Sequence, residues 1–194
     1  MTSLEPTDSG PTDPEHLDPE RTDPEHAAFA RTATAFRDMA HAIVWASVAT
    51  VDPDARPRTR ILHPIWDWDG TDLTGWVATV PSPVKRADLD AHPHASVSYW
   101  TTSHDTCSAD CHVQWHFDDE TRKAVWDRFA HGPAPVGYDP FIIPQWAGGP
   151  TSDQFAVLRL TPYRLRVMPG TVLIAGEGEV LSWRDTTSDV AGTR

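Results

Sequence analysis

One short stretch of the sequence has the residue types and spacing of an anion-binding site. Ser82 and Pro83 form a typical helix start, with Ser at the N-cap and Pro at the first helical position, where its missing N–H costs nothing. The free N–H groups and the positive dipole end of such a start attract anions, and Lys85 and Arg86 add two positive charges. A capped helix with a solvated lysine is common on protein surfaces, so this stretch alone does not establish a site.

Two arginines upstream could reach the same anion. Arg58 and Arg60 lie two residues apart, so on a β-strand both side chains leave the same face. The turn DWDG at residues 67–70 brings that strand alongside residues 71–79, which lead directly to Ser82. The chain order therefore allows cations from the strand and from the helix start to converge on one phosphate, for which the planar donor fork of arginine is well suited.

Hydrophobic periodicity and turn signals predict the elements that must position these residues. Helices are expected at about 26–41, 83–91 and 119–130, and an irregular stretch rich in Gly and Pro at 131–153. The predicted strands are 43–51, 58–66 and 71–79, which form an antiparallel meander, and about 94–102, 105–116, 154–161, 163–169 and 171–182. These elements indicate a mainly β fold with peripheral helices, arranged as a closed or nearly closed barrel.

The charge distribution separates an acidic tail from an ordinary domain. Residues 1–28 hold eight acidic residues, one arginine and five prolines, and they supply −7 of the net charge of −12. We therefore expect residues 1–25 to be disordered, residues 26–185 to form one domain, and residues 186–194 to be a flexible tail.

The overall composition excludes several classes of partner. With 28 acidic against 16 basic residues, the chain lacks the clustered cations that nucleic acid or an anionic membrane surface requires. No segment has the length of a membrane-spanning helix or the pattern of a signal peptide, which predicts a cytoplasmic protein.

The order and spacing of these segments resemble the pyridoxamine 5′-phosphate oxidase-like superfamily of flavin-binding split β-barrels. The resemblance covers roughly residues 40–183, and it rests on RPRTRILHPIW, a following strand with Thr79, and SPVKRADLDAHPHASVSYW. The segments DDETRKAVWDRF and LRLTPYRLRVMPG extend it. It implies an FMN-binding split β-barrel that forms a homodimer with FMN at the subunit interface. The implied activity is that of a flavin-dependent oxidoreductase acting on a small, planar or conjugated substrate.

The resemblance also implies the residues that contact FMN, position by position. Those expected along the flavin ring and the ribityl chain are Arg60 and the backbone of Ile61, Leu62 and His63. Those expected beside the flavin or at its phosphate are Ala78, Thr79, Ser82, Lys85 and Arg86, with Arg58 added from strand geometry alone. No catalytic side chain is assigned, because a flavin carries out the electron transfer itself.

Three features depart from the superfamily pattern. His92 stands where an Asn is frequent, and the second basic residue, Arg86, follows Lys85 instead of preceding it. The arginine-rich C-terminal substrate motif of the true oxidase is absent after SWRD at 182–185, which argues against pyridoxamine phosphate as the substrate. Two further hypotheses therefore stay open: a deazaflavin coenzyme in place of FMN, and a protein that carries a flavin without turning it over.

Other reactive residues are expected to be structural. Cys107 and Cys111 lie four residues apart, about 13 Å along a strand, which is too far for a shared zinc ion or a disulfide. We predict two buried thiols and no metal site; a zinc site with His112 and His116 would require a helix there. His63 is expected to be a satisfied core or pocket histidine. In the irregular stretch, the best candidates for a pocket are Tyr138 and Trp146.

Overall fold

The computed structural model describes residues 24–186. Its helices are α1 (Pro24–Ile43), α2 (Pro83–Ala91), α3 (Asp119–His131) and α4 (Gly170–Ala175). Its strands are β1 (Ala46–Val51), β2 (Pro57–Leu62), β3 (Pro64–Trp68), β4 (Leu73–Thr79), β5 (His94–Trp100), β6 (Thr106–His116), β7 (Ala156–Met168) and β8 (Leu181–Arg184). Two 3₁₀ turns, Pro140–Ile142 and Pro144–Trp146, lie in the long connection after α3. The tails predicted at 1–25 and 186–194 lie outside the described residues except for positions 24, 25 and 186.

The strands form one antiparallel sheet in the order β2-β1-β5-β6-β7-β4-β3, and β8 pairs with β7 beside this path. Strands β2 and β3 occupy the two ends of the path, and a single residue, His63, separates them in the chain. They do not pair with each other in the described part of the chain, so the sheet is open. The mainly β, split-barrel prediction is confirmed, whereas full closure of the barrel is not observed.

Two apolar cores lie on opposite sides of the sheet. Helix α1 covers the larger core with Ala33, Phe36 and Ala40, whose spacing puts them on one helix face. In that core the indole N–H of Trp66 donates to the hydroxyl of Tyr99 at 2.8 Å, so the large indole is buried with its N–H paired. The smaller core joins α3 to the long connection that follows it, through Val125, Trp126, Phe129, Trp146 and Phe155.

The predicted strand at 58–66 is in fact two strands that pair with different neighbours. Strand β2 pairs with β1, β3 pairs with β4, and the break falls at His63, directly before Pro64. Proline restricts the preceding residue and has no N–H for a ladder, so the chain changes direction there. Near the start of the meander, α1 extends to Ile43, and the strand predicted from residue 43 begins only at Ala46.

The C-terminal prediction was wrong in two respects. Strands were predicted at 154–161 and 163–169, but residues 156–168 form one strand. Pro162 has no N–H and is accommodated by a β-bulge. In the pairing with β6, Cys111 faces Pro162 and Asp110 faces Arg164, so Tyr163 is the extra residue. Residues 171–182 were expected to be a strand, but α4 occupies the first part. The N–H of Gly170 donates to the Asp105 carboxylate at 2.7 Å, and a Cβ at this position would lie 1.9 Å from the Ser103 carbonyl oxygen.

None of the helices within residues 24–186 combines the length and apolar character that a membrane-spanning helix needs.

Candidate functional site

Helix α2 begins as the sequence predicts. Ser82 has an extended backbone at the N-cap, its Oγ accepts the Lys85 backbone N–H at 3.4 Å, and Pro83 follows at the first helical position. The helix runs from Pro83 to Ala91, the predicted bounds. Pro83 has no N–H, and the Arg86 N–H donates to the Ser82 carbonyl at 2.9 Å. The Val84 N–H is therefore the one group of the first turn that has no acceptor within residues 24–186.

Lys85 is a cation held by neutral oxygens. Its half-buried ammonium donates to the Thr79 hydroxyl and, at 3.0 Å, to the Val80 carbonyl. It forms no ion pair within residues 24–186. Burial, together with the positive charge of Arg60, lowers the pKa of Lys85 to about 8. An anion beside Lys85 would favour its charged form, and nothing in the described chain supplies one.

Arg60 lies on the same side of the sheet and is held by a buried carboxylate. Its guanidinium donates to the Thr50 hydroxyl at 3.0 Å and to Asp88 Oδ2 at 2.9 Å. Asp88 belongs to α2, is 1% exposed, and also accepts a hydrogen bond from Thr50 at 3.3 Å. This network ties α2 to β1 and β2, and it fixes the direction in which Arg60 points.

Arg58 and Arg60 converge as predicted, but their common neighbour is Asp88. The Arg58 guanidinium lies 3.1 Å from Asp52 Oδ2 and 3.8 Å from Asp88 Oδ1. Two backbone N–H groups, of Asp54 and Arg56, also donate to Asp52 and lower its pKa. The charge of Arg58 is thus shared between two carboxylates.

Arg86 points to a separate aromatic pair. Its guanidinium carbon lies 5.1 Å from the ring centre of Trp115 and 4.8 Å from that of Phe117, and it pairs with Asp90 at 3.2 Å. Among the four predicted cations, Lys85 is therefore the one that has no carboxylate partner in the described part of the chain.

The residues predicted along the flavin ring face different sides. Leu62 packs on the larger core, whereas Ile61 is 64% exposed. Trp45 and Trp100 leave the outer face at the same end of β1 and β5, and both are exposed. On β4, Thr79 is buried, and Ala78 packs against the smaller core.

His63 is buried, as expected, but it is not satisfied. Its side chain is 8% exposed, and neither Nδ1 nor Nε2 has a hydrogen-bond partner among residues 24–186. The imidazole stacks on Tyr138 with ring centres 5.4 Å apart. It lies nearly perpendicular to Phe129 at 5.5 Å and is tilted by 51° to Trp45 at 5.3 Å. Burial, with a smaller contribution from His41, lowers the pKa of His63 to about 4, so the ring is neutral at pH 7.

The remaining candidates are structural. Cys107 and Cys111 are free thiols buried in the larger core, where burial raises their pKa. In residues 24–186 no three metal-ligating side chains come together. Of the two pocket candidates, Tyr138 borders a cavity next to His63, whereas Trp146 is part of the smaller core.

Sequence reasoning missed Asp88 and Thr50. The signal for Asp88 was present, because Asp88 lies three residues after Lys85 and next to buried Leu89, on the side of α2 that must face the sheet. Thr50 had no such signal, because it is one alternating residue of an ordinary strand.

No protein-family model and no curated protein sequence match the chain. Among solved structures, a protein from Clostridium acetobutylicum related to general stress protein 26, of the pyridoxinephosphate oxidase family, matches with a TM-score of 0.59 and 8% identity, over 80% of this chain and 95% of the other. A NimC/NimA family protein from the same organism gives 0.57 and 13% over 81% and 96%. A pyridoxamine 5′-phosphate oxidase-related, FMN-binding protein from Nostoc punctiforme gives 0.51 and 17% over 77% and 85%.

At these identities the likeness concerns the fold. The matches cover most of each chain. The chain has the fold of these solved structures, which include a protein of the pyridoxinephosphate oxidase family and a pyridoxamine 5′-phosphate oxidase-related protein.

Proposed function

We propose that this protein binds FMN and uses it as a flavin-dependent oxidoreductase that acts on a small planar substrate. The observation that carries the proposal is Lys85: a half-buried ammonium, without a carboxylate partner in the described residues, at the start of a capped helix. Such a site favours a phosphate, because the helix N–H groups and the cation act on the same anion. The fold shared with a protein described as FMN-binding supports the same choice.

The phosphate of FMN would be held by groups from one helical turn. Lys85 would supply the charge, and the Ser82 hydroxyl and the Val84 N–H would supply hydrogen bonds. Arg60 would lie next to them, and Asp88 would keep its guanidinium in place. Arg58 and Arg86 would raise the local potential without direct bonds, since both are engaged by other residues.

The flavin ring would lie where β2 ends. The backbone of Ile61, Leu62 and His63 would run along the ring, and Trp45 would extend the apolar surface. FMN supplies the electron transfer when bound, and the protein positions the two reactants. Ile61, Trp45 and Trp100 form an exposed apolar patch, which supports the proposal that the FMN site lies in a homodimer interface.

Binding measurements at two pH values test the phosphate assignment. A phosphate monoester is a dianion above about pH 6, so between pH 7 and pH 9 the charge of Lys85 is what changes. Because the pKa of Lys85 in the free protein is about 8, we expect FMN to bind severalfold more weakly at pH 9. Riboflavin lacks the phosphate and should show little change; equal pH responses for the two ligands would contradict the proposal.

The visible spectrum of the purified protein separates the cofactor hypotheses. An oxidised-flavin spectrum supports FMN, and a single band at shorter wavelength supports the deazaflavin coenzyme. A colourless protein that takes up neither compound would refute both. If FMN is bound but small electron donors and acceptors do not reduce and reoxidise it, the result would instead support a flavin carrier.

A further inference from the structure

A separate cavity of about 180 Å³ lies beside His63. Three distant segments form it: the chain between α1 and β1, the break between β2 and β3, and the long connection after α3. The lining residues used below are Val44, Trp45, His63, Tyr138, Ile142 and Ile143.

The walls of this cavity are apolar and aromatic, with two polar groups. No charged residue from the described part of the chain lines it. Tyr138 offers a hydroxyl whose pKa burial raises to about 12, so it keeps its proton. His63 offers two ring nitrogens, both shielded from solvent and both without a partner. Pockets for small ligands have this composition, a mostly apolar lining with a few polar groups that fix orientation.

The unpaired imidazole is the unusual part of the cavity. Buried polar atoms are nearly always hydrogen-bonded, because burial without a partner is unfavourable. A neutral imidazole has one N–H donor and one nitrogen acceptor, so it can recognise either kind of group on a ligand. The imidazole packs against the rings of Tyr138, Phe129 and Trp45. These ring contacts do not replace the hydrogen bond that an oxygen atom would make to either nitrogen.

The backbone at the cavity edge is strained. Val44 has a φ of +73°, a left-handed conformation that is unfavourable for a β-branched residue. It orients Trp45, which is 61% exposed and belongs to neither core. The indole can therefore shift away from His63 without opening a core. Strain of this kind is concentrated at functional sites.

We propose that this cavity is a subsite for one uncharged aromatic ring that carries a hydrogen-bonding group directed at His63. A cavity of about 150 Å³ holds a benzene molecule, so the volume suits a single substituted ring. A charged ring would be buried without a counter-ion, which disfavours it. The cavity is lined by His63, the last of the residues proposed to run along the flavin ring, and its occupant would be the reacting ring of the substrate. That role rests on the proposed FMN site, whereas ring binding itself does not.

Phenol and toluene provide a matched pair of probes for the full-length protein. They have nearly the same size, but phenol carries a hydroxyl where toluene has a methyl group. Binding is followed by NMR through the indole N–H signal of Trp45. This signal is assigned as the one that is missing from the spectrum of Trp45→Phe. His63→Phe keeps a ring and removes both nitrogens, and His26→Phe, at a partly exposed position on α1, is the control.

We expect the ratio of phenol to toluene affinity to fall about tenfold in His63→Phe, the value of one hydrogen bond, and to stay unchanged in His26→Phe. Ile142→Trp, at a position 65% exposed, should block both probes without disturbing a core. Benzoate, which is charged, should not compete. An unchanged ratio in His63→Phe, probe binding that survives Ile142→Trp, or benzoate that competes as well as phenol would overturn the proposal.

The same titrations in Lys85→Ala keep this inference separate from the proposed function. Probe binding that persists in a protein that never binds FMN would leave the ring subsite standing and remove its role in flavin chemistry. FMN binding without any probe binding would leave the proposed FMN site standing and remove the ring subsite.

Discussion

The surroundings of Arg60 and of His63, three residues apart in the chain, differ in how their polar groups are satisfied. Arg60 donates to Thr50 and to the buried carboxylate of Asp88. His63 has no partner for either nitrogen, although it is buried to a similar depth as many core residues. The first region is a completed polar network, which can hold its geometry before a ligand arrives. The second is an incomplete one, and a ligand can complete it.

The helix start beside Arg60 and the cavity beside His63 also differ in where their parts come from. The helix start, with Ser82 and Lys85, is a local motif of four residues next to the end of β4. The cavity needs the strained Val44, the break at His63 and the connection that carries Tyr138. A local motif fixes much of its geometry through the helix itself, whereas the cavity depends on the packing of the whole domain.

Removing the carboxylate of Asp88 should produce the largest loss of stability. Asp88→Asn leaves the Arg60 guanidinium without its buried counter-charge, and loss of one partner of such a pair typically costs about 3 kcal/mol. Urea unfolding measures the change. Asp90→Asn, which removes the exposed partner of Arg86, should cost less than about 1 kcal/mol. Similar losses for the two variants would contradict the distinction between a buried network and a surface pair.

The unpaired state of His63 predicts a specific acid sensitivity. The pKa of His63 is about 4 in the folded chain against 6.5 for a free histidine, so the unfolded state binds a proton first as the pH falls. Stability should therefore decrease from about pH 6.5 to pH 4, by up to about 3 kcal/mol. His41, whose pKa is also lowered by burial, contributes to the same slope.

His63→Phe isolates the contribution of this histidine. The variant should flatten the pH dependence of urea unfolding between pH 6.5 and pH 4, and it should be about 1 kcal/mol more stable at pH 7, because no buried nitrogen is left unpaired. An unchanged slope would show that His63 is hydrated or hydrogen-bonded in solution.

The smallest predicted effect concerns two residues that have a left-handed backbone conformation. Ala55, in the exposed turn before β2, has a φ of +62°, and Val44 has a φ of +73° beside the cavity. Ala55→Gly should raise the stability by about 0.5 kcal/mol, because relief of the left-handed strain exceeds the entropy cost of glycine. It should leave probe binding in the cavity unchanged. Thermal unfolding measures the stability, and destabilisation by Ala55→Gly would contradict this assignment of strain.

Much of the fold follows from local rules that the sequence displays. The cap at Ser82 gave the bounds of α2, and strict alternation along 94–100 and 106–116 gave β5 and β6. These elements agree with the structure because propensity, pattern and punctuation all favour the same conformation.

The parts that could not be predicted depend on distant contacts. The apolar run TVLI favours a strand, yet it forms part of α4. Gly170 fits against the Ser103 carbonyl, and the N–H of Gly170 donates to the Asp105 carboxylate. Likewise, nothing near Arg60 in the sequence shows that Asp88 will be its partner 28 residues later. Tertiary contacts decide such cases, and local propensity is a weak guide to them.

The central claim is that Lys85 binds the phosphate of a flavin, and the most direct test compares the two lysines of the chain. Lys85→Ala should weaken FMN binding about 10- to 150-fold, equivalent to about 1.5–3 kcal/mol for a charge-assisted hydrogen bond, while riboflavin binding hardly changes. Lys123→Ala, at an exposed position on α3, should leave both affinities unchanged. Equal FMN affinities for Lys85→Ala and the wild-type protein would contradict the claim.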